Sequence, residues 1–173
     1  MKGKSGIPDG GSRIAVTLRA ADFANDWRRY NLVANYIAEY ASYFFEHRDR
    51  AENVISSVFY ELLEHIATIS REDAGLSARL LTQGGRVIFE ISTSNPRSEA
   101  LDPNRKLLEA LGSANIDSLY REILEAAPGE PRLQGELGLT MLAHDYRARF
   151  SMTEEPAGSV TLHASLAVEE LIQ

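Results

Sequence analysis

The sequence contains no cysteine. Disulfides, thiol nucleophiles and cysteine-based zinc sites are therefore excluded, and a reducing compartment suits the chain. Long apolar runs are missing too: no segment approaches the roughly 20 residues of a transmembrane helix. Basic charge is scarce, with 18 Lys and Arg against 25 Asp and Glu and a formal net charge of −7. Broad electrostatic binding to nucleic acid or to an anionic membrane is disfavoured. The start, Met1-Lys2-Gly3-Lys4-Ser5-Gly6, lacks the apolar stretch of a signal peptide, so the expected location is cytoplasmic. What remains is an ordinary globular composition, 44% hydrophobic and 25% charged over 173 residues, enough for one domain with a real core.

Residues 1 to 12 hold four Gly, one Pro and three Ser or Asp and read as a flexible tail ahead of a single domain over 13 to 173. Ile14, Val16 and Leu18 alternate as in a short edge strand. From Asp26 the apolar period becomes helical, through Tyr30, Val33, Ile37, Ala41 and Phe44, to an end near His47. A second helix runs from about Asp49 to Ser70, with Val54, Val58, Leu62 and Ile69 on one face. Leu76 to Thr82 and Arg86 to Ser92 form a hairpin around Gly84-Gly85, where glycine supplies the positive φ angles of a tight turn.

Residues 93 to 134 are less regular and suggest a lid-like excursion, with short helical patterns over Asp102 to Leu111 and Ile116 to Ala127. A glycine-flanked helix from about Gly135 to Tyr146 precedes two final strands, through Phe150 and through Leu162, joined by a turn containing Pro156 and Gly158. This order predicts an α+β fold: a two-layer sandwich with helices on one face of a mixed, mostly antiparallel sheet.

Two constellations could carry chemistry. In Glu61-Leu62-Leu63-Glu64-His65, Glu61 and His65 lie one turn apart on the same helix flank, where a carboxylate could take a proton from a hydroxyl or water. Such i,i+4 pairs are equally common on solvated helices. Gly135-Glu136-Leu137-Gly138-Leu139 is expected to open a helix, where free N–H groups and the dipole favour phosphate; a packing role for the two glycines carries equal weight. The remaining histidines, His47, His144 and His163, show no metal-ligand spacing, and HExxH is absent. The aromatic residues Trp27, Tyr30, Tyr40 and Phe44 suit a core or the surface of a homodimer.

The order of these features resembles the GHKL superfamily, the histidine-kinase-like ATPases, over roughly Asp49 to Leu166. Within it the chain is most similar to anti-sigma-factor serine kinases and to the small bacterial regulators typified by SiaB. The resemblance implies a Bergerat-type ATPase fold and aligns Glu61 to His65 with the family's N box, the hairpin with the one before the adenine loop, Thr93 to Pro96 with that loop, and Gly135 to Leu139 with the phosphate turn. It implies ATP as ligand, Glu61 as catalytic group, His65, Asn95, Gly135 and Gly138 near the nucleotide, and a STAS-domain protein as partner.

Two departures weaken the nucleotide half of that expectation. The family's magnesium ligand is an N-box Asn where this chain has His65, and a neutral imidazole replaces a hard oxygen donor poorly. No Asp-x-Gly-x-Gly lies between Phe89 and Leu101; Asn95 is the nearby side chain able to both donate to and accept from an adenine edge, and it equally suits the turn before Pro96. The expected function is thus a signalling regulator with a degenerate nucleotide site, the alternative an active serine/threonine protein kinase using Glu61 as base. Asn104 and Arg105 are further candidates for a phosphate contact.

Overall fold

The structure, a computed structural model, describes residues 14–23, 26, 28–113, 115–125 and 131–172, with residues 131–135 and 172 described by backbone alone. The expected N-terminal tail and Trp27 lie outside the described residues. In chain order come β1 (Ile14–Arg19), a 3-10 turn (Ala20–Asp22), α1 (Arg28–Ser42), α2 (Arg48–Ile69), β2 (Gly75–Gln83), β3 (Arg86–Thr93), α3 (Ser98–Leu111), α4 (Ile116–Glu125), α5 (Pro131–Asp145), β4 (Arg149–Glu154), β5 (Val160–Ala167) and the short α6 (Glu169–Ile172).

The strands form one sheet in the order β1-β2-β3-β5-β4. Every neighbouring pair is antiparallel, so the sheet is uniform rather than mixed. Because side chains alternate across a strand, the register Leu80↔Phe89↔Ala164 puts one row of apolar residues on a single face. Leu76, Leu80, Phe89, Ile91 and Leu166 are almost fully buried there. The opposite face is polar: Arg79 lies 3.8 Å from Glu90, Ser92 bonds Thr161 at 2.8 Å, and His163 meets Thr153 at 3.0 Å. A sheet with one apolar face requires one helical layer, and the fold is the expected two-layer α+β sandwich.

Helix α2 is the centre of that layer. Its apolar residues cover more than one stripe, since Phe59 and Ile66 and also Ala51 and Leu62 are fully buried. A helix buried on several sides must be flanked by others, and α1 and α5 are those neighbours. Phe59 meets Phe89 of β3 edge to face, with ring centroids 5.0 Å apart. Burying each such side chain contributes about 1.5–3 kcal/mol.

Three helix boundaries differ from the sequence expectation. Helix α1 ends at Ser42, whose hydroxyl bonds the Glu39 carbonyl at 2.7 Å. The chain then turns, so His47 sits at the N-cap of α2 rather than at a helix end that would favour its charge. Helix α3 starts at Ser98 and carries Pro103 inside it. Helix α5 starts at Pro131, a residue well suited to a first helical position, not at Gly135. The expected lid-like stretch contains two well-formed helices, α3 and α4, packed against α5 and, for α3, β4.

The β2–β3 hairpin turns on Gly84 (φ 56°) and Gly85 (φ 71°), the left-handed pair that a two-residue turn requires. A Cβ at Gly85 would meet nothing within 4 Å, so a substitution there tests backbone conformation alone. Gly85→Ala should cost about 1 kcal/mol and lower Tm by about 2–4 °C. An unchanged thermal melt would show that the turn tolerates another geometry.

Candidate functional site

Helix periodicity sends Glu61, Glu64, His65 and Thr68 of α2 toward one flank, and three other helices close on it. Glu61 reaches α5. A Cβ built on Gly138 would lie 1.7 Å from Glu61 Oε2 and 2.6 Å from its Cδ, so the carboxyl group occupies the space that any other residue at 138 would need. A larger residue there would have to push aside the end of the flexible Glu61 side chain. The two constellations separated by about 75 residues of sequence thus meet, but as a packed contact.

His65 is buried, 6% exposed, and its Nε2 contacts Oδ1 of Asn104 on α3. Asn104 Nδ2 donates to the Ala100 carbonyl at 2.7 Å, which leaves its Oδ1 as the acceptor. The hydrogen in the His65–Asn104 bond therefore sits on Nε2. Asn104, a candidate for a phosphate contact, holds the ring of His65. Arg105, the other candidate, is engaged by Asp102 at 2.5 Å and by Glu154 of β4.

On the α1 side, Tyr30 is stacked on Phe23, with centroids 4.6 Å apart, and meets Tyr60 edge-on at 6.3 Å. Burial, then the charges of Glu64 and Tyr60, push the Tyr30 hydroxyl up to about 12. Tyr60 is raised by burial and by both glutamates. Burial raises Glu64. Glu61 is the most displaced carboxyl, pushed up to about 7 first by burial and then by the charge of Glu64. Near neutral pH it can hold or release a proton, as a general base must.

Asn95 does not join this group. Its Nδ2 donates to Asp73 at 2.9 Å and its carbonyl accepts from the Arg71 N–H at 2.9 Å, beside the Ser70–Pro96 bridge that closes the end of α2. Glu61 lies about 12 Å back along the helix from Ile69. An open cleft of about 450 Å³ does lie near the end of α2, lined by Tyr30, Thr68, Arg71, Glu72 and Arg97 among others but not by Glu61 or His65.

The fit to Mg-ATP is poor on three observations. Gly135 and Gly138 lie inside α5, so their N–H groups serve carbonyls four residues back rather than a phosphate. The free N–H groups of the first turn are reduced by Pro131, which has none. The Glu61 carboxyl, not open space, faces Gly138. Among the described residues no group of three or more His, Asp or Glu could hold a metal ion. His144, stacked on Tyr120 at 4.4 Å and bonded to Asp145 at 2.7 Å, belongs to the α4–α5 contact.

Sequence reasoning missed Tyr30 and undervalued Glu64 and Tyr60. The i,i+4 spacing of Tyr60 and Glu64 was a usable signal; nothing local connects Tyr30 to them. No helix among the described residues is long and apolar enough to cross a membrane.

No known family profile matches the chain, and no curated protein does. Among solved structures, it is similar to a chain of the crystal structure of the SiaB–SiaC complex from Pseudomonas aeruginosa, at 13% identity and a TM-score of 0.54. The match covers 87% of this chain and 88% of that one. At that identity the likeness concerns architecture: the sandwich described above is the fold of a chain in a two-protein complex.

Proposed function

We propose that the protein is a cytoplasmic bacterial signalling regulator with a SiaB-like, GHKL-type fold that acts on a STAS-domain partner through its surface, its nucleotide site being degenerate. The observation that carries this reading is His65, standing where the resembled family has its magnesium ligand, buried and tied to Asn104. Its Nε2 is used within the protein, and an imidazole nitrogen is a poor donor for magnesium, which prefers hard oxygen ligands. The shared fold with a chain of the SiaB–SiaC complex supports a protein partner.

Titration calorimetry with ATP and ADP, with and without magnesium, tests it. Binding weaker than about 1 mM is expected in all four arms, alongside a stable complex with a STAS-domain protein. Micromolar Mg-ATP binding overturns the degenerate site, and failure to bind any STAS-domain protein overturns the partner.

A second reading, an active serine/threonine kinase, is favoured by one observation: Glu61 is pushed up to about 7, where a base for an acceptor hydroxyl works best. It predicts that Glu61→Gln leaves nucleotide affinity unchanged while phosphate transfer to the partner falls by at least about 100-fold. Equal transfer by both proteins removes Glu61 from the chemistry.

A further inference from the structure

Helix α1 is buried on one side only. Tyr30, Ala34, Ile37 and Ala41 face α2 and the core. The other side is apolar as well: Leu32 is 71% exposed and Tyr36 67%, followed by Tyr40 and, just past the helix, Tyr43 and Phe44. Soluble monomers do not usually expose a contiguous stripe of this kind, and tyrosine is an enriched interface residue. At 100° per residue, Leu32, Tyr36, Glu39 and Tyr40 share one arc of about 120° with Arg28 and Arg29. The stripe is ordered internally: Tyr40 meets Phe44 edge to face at 5.8 Å, and the Arg48 guanidinium covers the Tyr43 ring at 3.7 Å.

We infer that this stripe is the seat of a second copy of the chain, paired through α1 in antiparallel fashion about a two-fold axis. Two features favour a copy over another occupant. The first is area. Four aromatic side chains and one leucine at these exposures present at most about 600 Å², so a symmetric pair that covers them approaches about 1,200 Å², the lower bound of stable interfaces. The second is charge. Arg28 and Arg29 stand at the positive end of their own helix dipole and Glu39 toward the negative end, the unfavourable sense in both places. In an antiparallel pair the arginines of one copy come beside Glu39 of the other, and the two dipoles oppose. Arg29 also lies 3.8 Å from Asp26 and donates to the Asp22 carbonyl at 3.0 Å, exposed contacts that orient it without covering it. Aromatic anchors inside a charged rim are the ordinary anatomy of an interface.

Sedimentation of the whole chain across about 1–200 µM, a range that brackets micromolar dimers, tests the assignment. A dimer is expected. Tyr36→Asp should weaken it at least about 10-fold with an unchanged circular dichroism spectrum, because the residue is exposed in each copy. Glu39→Arg and Arg29→Glu should each weaken it, and the chain carrying both should recover affinity, a rescue that only a self-complementary contact gives. Since the chain has no thiol, Tyr36→Cys should also join two copies through a short bis-maleimide, while Leu124→Cys on α4 should not. A monomer at every concentration, a dimer indifferent to Tyr36→Asp, or crosslinking through Leu124→Cys alone would each overturn it. None of these readouts depends on nucleotide or on a STAS-domain protein.

Discussion

Glu61→Gln is expected to stabilise the protein at pH 8 and to change it little at pH 4. The carboxyl of Glu61 is raised from an ordinary value of 4.5 to about 7, chiefly by burial. In this direction the folded state binds the proton more tightly than the unfolded chain does. Between those two values the native protein therefore carries more protons, and stability falls as pH rises through the interval. At pH 8 the folded protein holds a charge it disfavours; at pH 4 it does not. Glu64, also raised by burial, adds to the same trend. Glu61 is half-buried, so solvent screening reduces the effect to about 1–2 kcal/mol. Glutamine keeps the shape and removes the charge. Urea unfolding of both proteins at pH 4 and pH 8 checks this: the difference should appear at the higher pH only. A constant difference, or greater wild-type stability at pH 8, would mean that Glu61 ionises freely beside Gly138.

Gly138→Ala should be close to neutral in the native chain and stabilising once Glu61 is truncated. Alanine in the interior of a helix is ordinarily favoured over glycine by about 0.8–1.0 kcal/mol. At position 138 the added methyl would overlap the Glu61 carboxyl and crowd its Cγ at 3.3 Å. The carboxyl is the end of a flexible, half-buried side chain and can swing aside, so the crowding costs about 1 kcal/mol, near the low end for overpacking, and offsets the gain in propensity. With Glu61→Ala in place the overlap is gone and the propensity term remains, so the stabilisation appears. The double-mutant cycle should show a coupling of about 1 kcal/mol. Additive changes would mean that the carboxyl can leave α5 without cost, and that Glu61 and Gly138 do not form one unit.

The architecture was more legible in the sequence than the site was. The apolar residues of the strand from Leu76, the Gly84-Gly85 turn and the apolar face of α2 each depend on neighbours along the chain, and the structure has all three, although α2 is buried on more sides than the one face the sequence suggested. Helix starts were less legible. Gly135 looked like the opening of α5 because glycine is common at loop ends, whereas Pro131 stood four residues earlier with the stronger positional preference. For the candidate site, the sequence pointed to Glu61, His65 and Gly138. Their partners were hidden because each comes from a different helix: Asn104 from α3 against His65, and the Glu61 carboxyl against Gly138 of α5. Asn95 shows the converse, a residue whose turn chemistry beside Pro96 described its surroundings better than the family position did.

The strand order has a consequence for how the chain folds. Strand β3, at the middle of the sheet, pairs on one side with β2 through a two-residue turn and on the other with β5, where Thr93 meets Val160 about 67 positions later. Helices α3, α4 and α5 all lie in the intervening loop. The β1–β2–β3 half and the α1–α2 pair can associate early from contacts closer in sequence, but the β3 edge waits for β5. Closing that loop carries most of the non-local entropy cost, which places this fold among slower two-state topologies. Until Val160–Ala167 is in place, a central strand has one side unpaired. Completion of the sheet is therefore a late event, set by the arrival of β5.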